Sequence, residues 1–149
     1  MNSPAESLRQ VLIEATYLRK LKFVSPKVPD IFATDFNVDI LLNIRSTHKE
    51  IDAEHTEVTL AVAIKGVSSA DTIFQLEVQQ SGVFKVTGYS PDERLEINGK
   101  VCPEILFPFA RNTITDAASK GGFPDVVLKP VDFATFYARS LRERATADA

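Results

Sequence analysis

The chain is poor in the residues that most often carry chemistry: among 149 residues there is one cysteine, Cys102, and two histidines, His48 and His55. A lone cysteine cannot cross-link the fold to itself, and secreted domains of this size usually carry paired cysteines, so a cytoplasmic setting is expected. The six glycines, at 66, 82, 88, 99, 121 and 122, fit neither the dinucleotide fingerprint nor the P-loop spacing, which leaves a phosphate cradle without support. No stretch approaches the roughly 18 consecutive apolar residues of a membrane span. Met1-Asn2-Ser3-Pro4-Ala5-Glu6-Ser7 has no basic region leading into an apolar one, so neither a signal peptide nor direct membrane insertion is expected. A surplus of one charge sign is also missing. Seventeen Lys and Arg against 20 Asp and Glu give a net charge of -3, which predicts binding neither to nucleic acid nor to an anionic membrane.

What the chain does have is pattern. With 44% hydrophobic and 25% charged residues it is composed like a globular protein, and its length suits one domain over 1–149. Ser3-Pro4-Ala5-Glu6 reads as an N-cap, a proline and a capping-box glutamate, predicting a short helix over 4–12. The period then becomes two. Tyr17, Leu21 and Phe23 share one parity before Pro26, and Val38, Ile40, Leu42 and Ile44 alternate with polar residues. Beyond a polar hairpin over 46–55, Val58, Leu60, Val62 and Ile64 alternate again. Phe74, Leu76 and Val78 follow, with Ser81-Gly82 suggesting a bulge before Val83-Phe84-Lys85-Val86. Four strands with short connections predict an antiparallel meander.

After a polar segment over 88–100 the period becomes helical. Pro103 to Lys120 places Leu106, Phe109, Ala110, Ile114, Ala117 and Ala118 along one side, with Gly121-Gly122 as a left-handed cap. Asp132 then caps a last helix on which Phe133, Phe136, Tyr137 and Leu141 recur, and the tail over 145–149 is expected to fray. The fold class is therefore α+β: a four-stranded antiparallel sheet with a long helix and a C-terminal helix packed on one face.

No catalytic constellation emerges, and no cofactor or metal is expected. His48 and His55 flank one turn beside Glu50, Asp52, Glu54 and Glu57, without the spacing of a closed tetrahedral site, and read as a solvated hairpin tip. Cys102 precedes Pro103 at a helix start, where a dipole could activate a thiol. With no histidine near in sequence, it reads instead as a structural cysteine. Asp92-Glu93 and the Asp52/Glu54 pair lie in polar loops and read as solvated charges. The unusual feature is apolar content where loops should be polar: Phe32 and Phe36, then Phe123, Val126, Val127, Leu128 and Val131. Such residues either fold under to close the core or line a groove between loop, sheet edge and last helix that accepts an extended apolar peptide. The second reading nominates Phe32, Phe36, Leu42, Leu128, Val131, Phe133, Phe136, Tyr137 and Leu141 as client-binding residues.

A resemblance joins these observations. The run from Cys102-Pro103-Glu104-Ile105-Leu106-Phe107-Pro108-Phe109-Ala110-Arg111 through Gly121, Phe123-Pro124, Leu128, Pro130-Val131 and Phe133 resembles the SecB family of protein-export chaperones. So do Phe74-x-x-Glu77-Val78-Gln79-Gln80-x-Gly82-Val83-Phe84 and Tyr17-x-x-x-Leu21-x-Phe23-x-x-Pro26. The resemblance implies an ATP-independent holdase that binds unfolded or precursor polypeptides and passes them to the motor ATPase SecA. It also implies a homotetramer, a dimer of dimers, with Leu76, Val78, Gln80, Ala110, Ile114, Ala117 and Ala118 at the oligomer interface. Glu77 matches an acidic position of the SecA-docking surface. Three neighbouring positions depart from that surface, where this chain has Lys20, Val24 and Gln75, so weakened coupling to SecA is expected. Two other readings compete: a SecB-like chaperone dedicated to one client, such as the antitoxin of a toxin–antitoxin system, and a small hot-dog-type thioesterase. The latter needs a catalytic carboxylate or histidine aimed into an apolar tunnel.

Overall fold

The computed structural model describes residues 9–148, with side chains through Arg144. Strand β1 occupies Gln10–Val24, so the end of the helix expected over 4–12 is extended backbone, while residues 4–8 lie outside the described part. Strands β2 (Asp39–Glu50), β3 (His55–Ser68) and β4 (Asp71–Thr87) follow. Much of the segment read as a polar hairpin is strand: β2 stays paired with β3 as far as Glu50 opposite Thr56, leaving only a tight turn between them.

The sheet runs β1-β4-β3-β2. Strands β2, β3 and β4 form the expected antiparallel meander, but β1 lies against β4 rather than β2, giving a Greek-key order. The crossover over 25–38 carries a short 3-10 turn, Asp30–Ala33. No bulge falls at Ser81-Gly82, which stay in register with Tyr17 and Thr16 of β1 and with Thr59 and Val58 of β3. The irregularities lie elsewhere: β4 carries one extra residue, Ile73, opposite the Gly66–Val67 step of β3, and β1 slips against β4 between Ile13 and Ala15 and between Leu18 and Lys20, leaving Glu14 and Arg19 as extra residues. Each slip reverses the side-chain parity. Val11, Ile13, Leu18, Leu21 and Phe23 therefore all share the face of β4's buried residues, while Tyr17, expected alongside Leu21 and Phe23, pairs with Ser81 and points to the opposite face.

Alternation builds the core. Val58, Leu60, Val62 and Ile64 of β3 and Phe74, Leu76, Val78, Phe84 and Val86 of β4 are buried on one face. Helix α1 (Pro91–Glu96) follows β4 and starts on a capping box: Ser90 Oγ accepts from the Glu93 amide at 3.2 Å, and the Ser90 amide donates to Glu93 Oε1 at 2.9 Å. A π-helical turn, Ile97–Val101, joins it to helix α2, Cys102–Lys120. That helix lays Cys102, Leu106, Ala110, Ile114 and Ala118, each four residues from the last, onto β4 and β3. Phe109, expected on this stripe, is half-exposed. At the end of the helix Gly122 takes the left-handed conformation with φ +95°. Gly121 stays right-handed, and its missing side chain leaves room for the Phe23 ring.

Helix α3, Phe133–Asp148, is capped by Asp132, whose Oδ1 accepts from the Ala134 and Thr135 amides at 3.0 and 3.2 Å. Its backbone stays helical through 148, into the tail expected to fray. One set of expectations needs correction. Leu76, Val78, Gln80, Ala110, Ile114 and Ala118, assigned to an oligomer interface, are no more than 5% exposed within one chain. The small side chains bring α2 close to its own sheet, so these residues are spent on the intrachain core; Ala117 beside them is half-buried.

Candidate functional site

The crossover after β1 and the linker between α2 and α3 meet at one aromatic cluster. Phe123 is its hub: its ring centroid lies 4.7 Å from Phe74 in a stacked arrangement, 5.6 Å from Phe32 and 6.2 Å from Phe36 edge-on. Phe23 stacks on Phe74 at 6.0 Å. Such pairs stabilise beyond the area they bury, by about 0.5–1.5 kcal/mol each. The apolar loops therefore do two things at once. Phe123, Val126 and Leu128 close the end of the core, while Phe32 stays 49% exposed and Val127 75% exposed.

From this cluster a track runs along the helix side of β2. Its first part is a cleft of about 530 Å3 bordered by Phe36, Val38, Ile40, Phe123 and Val126. Its second is a cleft of about 610 Å3 between β2 and α3, bordered by Leu42, Ile44, Val131 and Phe136, with Arg45, Asp132, Arg139 and Glu143 on its rim. From Val38 to Ser46 the strand covers about 27 Å at its usual rise. A smaller hollow follows, where Tyr137 and Leu141 meet His48, Leu95 and Arg144. Gly99 sits under the Tyr137 ring and has no side chain to push it away.

Of the nine residues nominated for this site, Phe36, Leu42, Val131, Phe136, Tyr137 and Leu141 border the clefts, and Phe32 leans on the same cluster. Leu128 and Phe133 do not belong: at 5% and 3% exposed they lie in the core, Phe133 against Phe107. Their helical and linker spacing carried no sign of which side would face inward. In the sequence Val38, Ile40 and Ile44 signal only strand positions; what places the first two beside a cleft is the segment 122–126, and what places Ile44 there is α3.

Burial and local pairing account for the perturbed cysteine and histidines among the described residues. Cys102 is completely buried, and burial pushes its thiol up to about 12, so the activation a helix start could confer is absent; the turns before it also leave it in mid-helix rather than at a free N-terminus. Burial, with Arg144 adding to it, holds His48 below the ordinary imidazole range. His55 is raised, first by its hydrogen bond to Asp52 at 2.8 Å; Glu14 approaches its other nitrogen at 3.3 Å. Among the described residues no three His, Cys, Asp or Glu side chains converge as metal ligands. No helix among them is long and apolar enough to cross a membrane.

The opposite face of the sheet is polar. Glu77 lies there, as do Gln75, Val24 and Lys20, and Lys20 Nζ binds Glu77 Oε2 at 3.3 Å. Beside them Arg19 holds Glu57 at 3.1 Å, and the Tyr17 hydroxyl donates to the same carboxylate.

Comparison with known proteins agrees with this architecture. The sequence model of the family described as Preprotein translocase subunit SecB matches residues 4–144. The Protein-export protein SecB of Hahella chejuensis is 34% identical over 151 aligned positions, covering 100% of this chain and 95% of that protein. Its counterpart in Pseudomonas paraeruginosa is 36% identical, covering 91% and 84%. Among solved structures, the SecB-like chaperone of Mycobacterium tuberculosis in complex with a peptide from the HigA1 antitoxin superposes with a TM-score of 0.63 at 12% identity, covering 81% of this chain and 90% of that one.

Proposed function

The chain belongs to the SecB family of chaperones, and from that premise we propose that it holds unfolded or precursor polypeptides along the apolar track beside β2, without nucleotide. The track itself carries this reading: two clefts in series, bordered by Phe36, Ile40, Leu42, Val131 and Phe136, long enough for about eight residues of extended chain. Burying a few client side chains there, at about 25 cal/mol per Å2, gives a gross stabilisation that ordering the client largely offsets. The outcome is modest, sequence-tolerant affinity, which suits a holdase. General protein export is favoured over service to a single antitoxin. The relatives named for export match nearly the whole chain at 34–36% identity, whereas the antitoxin-bound chaperone shares only the fold at 12%.

The working particle on this reading is a homotetramer. Strand β1 is a sheet edge of 15 residues, and Ile13, Leu18 and Leu21 on its helix side stay exposed, as does Phe109 of α2. A long apolar edge is an association site unless covered, and copies meeting through β1 and α2 would cover it. Hand-off to SecA through Glu77 is weakened here, because Lys20 already satisfies that carboxylate. Two measurements test the reading. Light scattering of a denatured client should fall when equimolar tetramer is present without nucleotide; scattering unchanged by a molar excess overturns the holdase. Calorimetric titration with the cognate SecA should show weak binding, and micromolar or tighter binding abolished by Glu77→Lys overturns the weakened coupling.

A further inference from the structure

The face of the sheet opposite the helices is not flat. Strand β3 presents Thr59, Ala61 and Ala63 there, all short, between longer side chains on both sides. The result is a trough along β3, made of two adjoining clefts of about 560 and 360 Å3 that share Asn43, Ala63 and Glu77. Arg45 and Leu41 stand on the β2 side, Arg19 and Lys22 on the β1 side, and Lys65 at one end.

Charge here runs against the chain as a whole. The protein carries -3, yet the trough is lined by Arg19, Lys22, Arg45 and Lys65 against one carboxylate, Glu77. That carboxylate is bound by Lys20, and the Glu57 carboxylate nearby by Arg19 and Tyr17. Lys22, Arg45 and Lys65 have no ion pair among the described residues. In-chain pairing has thus cancelled the acids and left three cations around a channel floored by short side chains.

From these observations we propose that the trough docks an acidic segment of a partner polypeptide in extended conformation. Between Thr59 and Lys65 the channel is about 20 Å long, room for about six extended residues, and β2 and β4 stand roughly 10 Å apart across it, the width of one chain. Acids at every second position of such a segment share one face, and with that face turned toward the sheet they would lie among Lys22 on the β1 side, Arg45 on the β2 side and Lys65 at the end. Nucleic acid fits less well, since the trough lining has no ring on which a base could stack. The proposal is independent of client holding, which lies on the other face of the sheet.

Fluorescence anisotropy with the full chain decides it. The probe is a labelled peptide of about 12 residues alternating Glu and Thr, which spans the trough but has nothing apolar to offer the clefts beside β2. It should bind with an affinity that falls as salt is added, and the Lys22→Glu/Lys65→Glu variant should bind at least about tenfold more weakly. Circular dichroism confirms that the variant is folded, and Phe36→Asp should bind the peptide as the parent does. No binding of the Glu–Thr peptide, equal binding by the double variant, or equal binding of a Lys–Thr peptide overturns the proposal. Tighter binding of an oligothymidylate of similar length overturns the assignment to a polypeptide.

Discussion

The two faces of this sheet come from the same four strands and share almost nothing else. On β3, Val58, Leu60, Val62 and Ile64 are buried under α2, while Thr59, Ala61, Ala63 and Lys65, alternating with them, face the other way. One face is apolar and continues past the helices into open clefts; the other is polar and concave and carries surplus positive charge. Because side chains alternate with period two, each face can change without disturbing its neighbour. A chaperone built this way can keep its grip on unfolded chains while its choice of docking partner drifts. The three positions that differ from the SecA-docking pattern the resemblance implies, Lys20, Val24 and Gln75, all lie on the polar face.

The sharpest way to break the comparison is to damage the covered face. Phe74 stacks on Phe123 and Phe23 and is completely buried, so Phe74→Ala should cost about 3–5 kcal/mol in urea unfolding at fixed protein concentration. A loss below about 1 kcal/mol would mean the aromatic cluster is dispensable. Next in size is an effect on holding rather than on stability. Phe36 borders the cleft and leans on Phe123 without being buried, so Phe36→Asp should lower affinity for a denatured client by about tenfold, with little change in unfolding. Tyr137→Asp should weaken holding in the same sense, and Lys65→Glu, on the other face, should leave it unchanged. If Lys65→Glu lowers holding as much as Phe36→Asp does, the two faces are not independent.

A smaller effect belongs to the polar face. Lys20→Glu removes the pair with Glu77 and sets two carboxylates side by side. The pair is largely solvated, so stability should change by less than about 1 kcal/mol. Affinity for SecA should rise by several-fold, mostly through the association rate, while client holding stays constant. A titration in which Lys20→Glu and the parent chain bind SecA alike would show that charge on this face does not govern docking.

How far the sequence could be read follows the same division. Strands β2 to β4 were legible because their alternation is nearly unbroken, and the helices because Asp132, Gly122 and the apolar spacing marked them. The place of β1 was not legible. Pairing with β4 rather than β2 is a long-range choice, and the bulges at Glu14 and Arg19 scramble the parity that would have revealed which of its residues face inward. The Ser90-Pro91-x-Glu93 capping box was a readable signal for helix α1, hidden in a segment that looked merely polar. Most of the groove was legible from misplaced apolar residues, but the division between wall and core was not, since Leu128 and Leu42 look alike until α3 is in place. The trough on the polar face left no trace in composition. It depends on small residues of one strand lying between long residues of others.

The smallest effect separates the two histidines, which the sequence presented as equivalent residues of one polar turn. Register puts His48 opposite Val58 on the covered face and His55 opposite Lys85 on the polar one. Burial holds His48 below its ordinary value, so its contribution to stability is present above the unfolded value near 6.5 and is lost as pH falls through the folded one. Asp52, and less strongly Glu14, raise His55, so its contribution is present below about 6.5 and is lost as pH rises through its folded value. Imidazole resonances followed by NMR from pH 5 to 9 should therefore titrate in two steps, His48 below about 6.5 and His55 above it. His55→Gln should remove the upper step and leave the lower one in place. Coincident titration, or the reverse order, would mean that the two faces do not impose different environments even where strand and turn bring them closest in sequence.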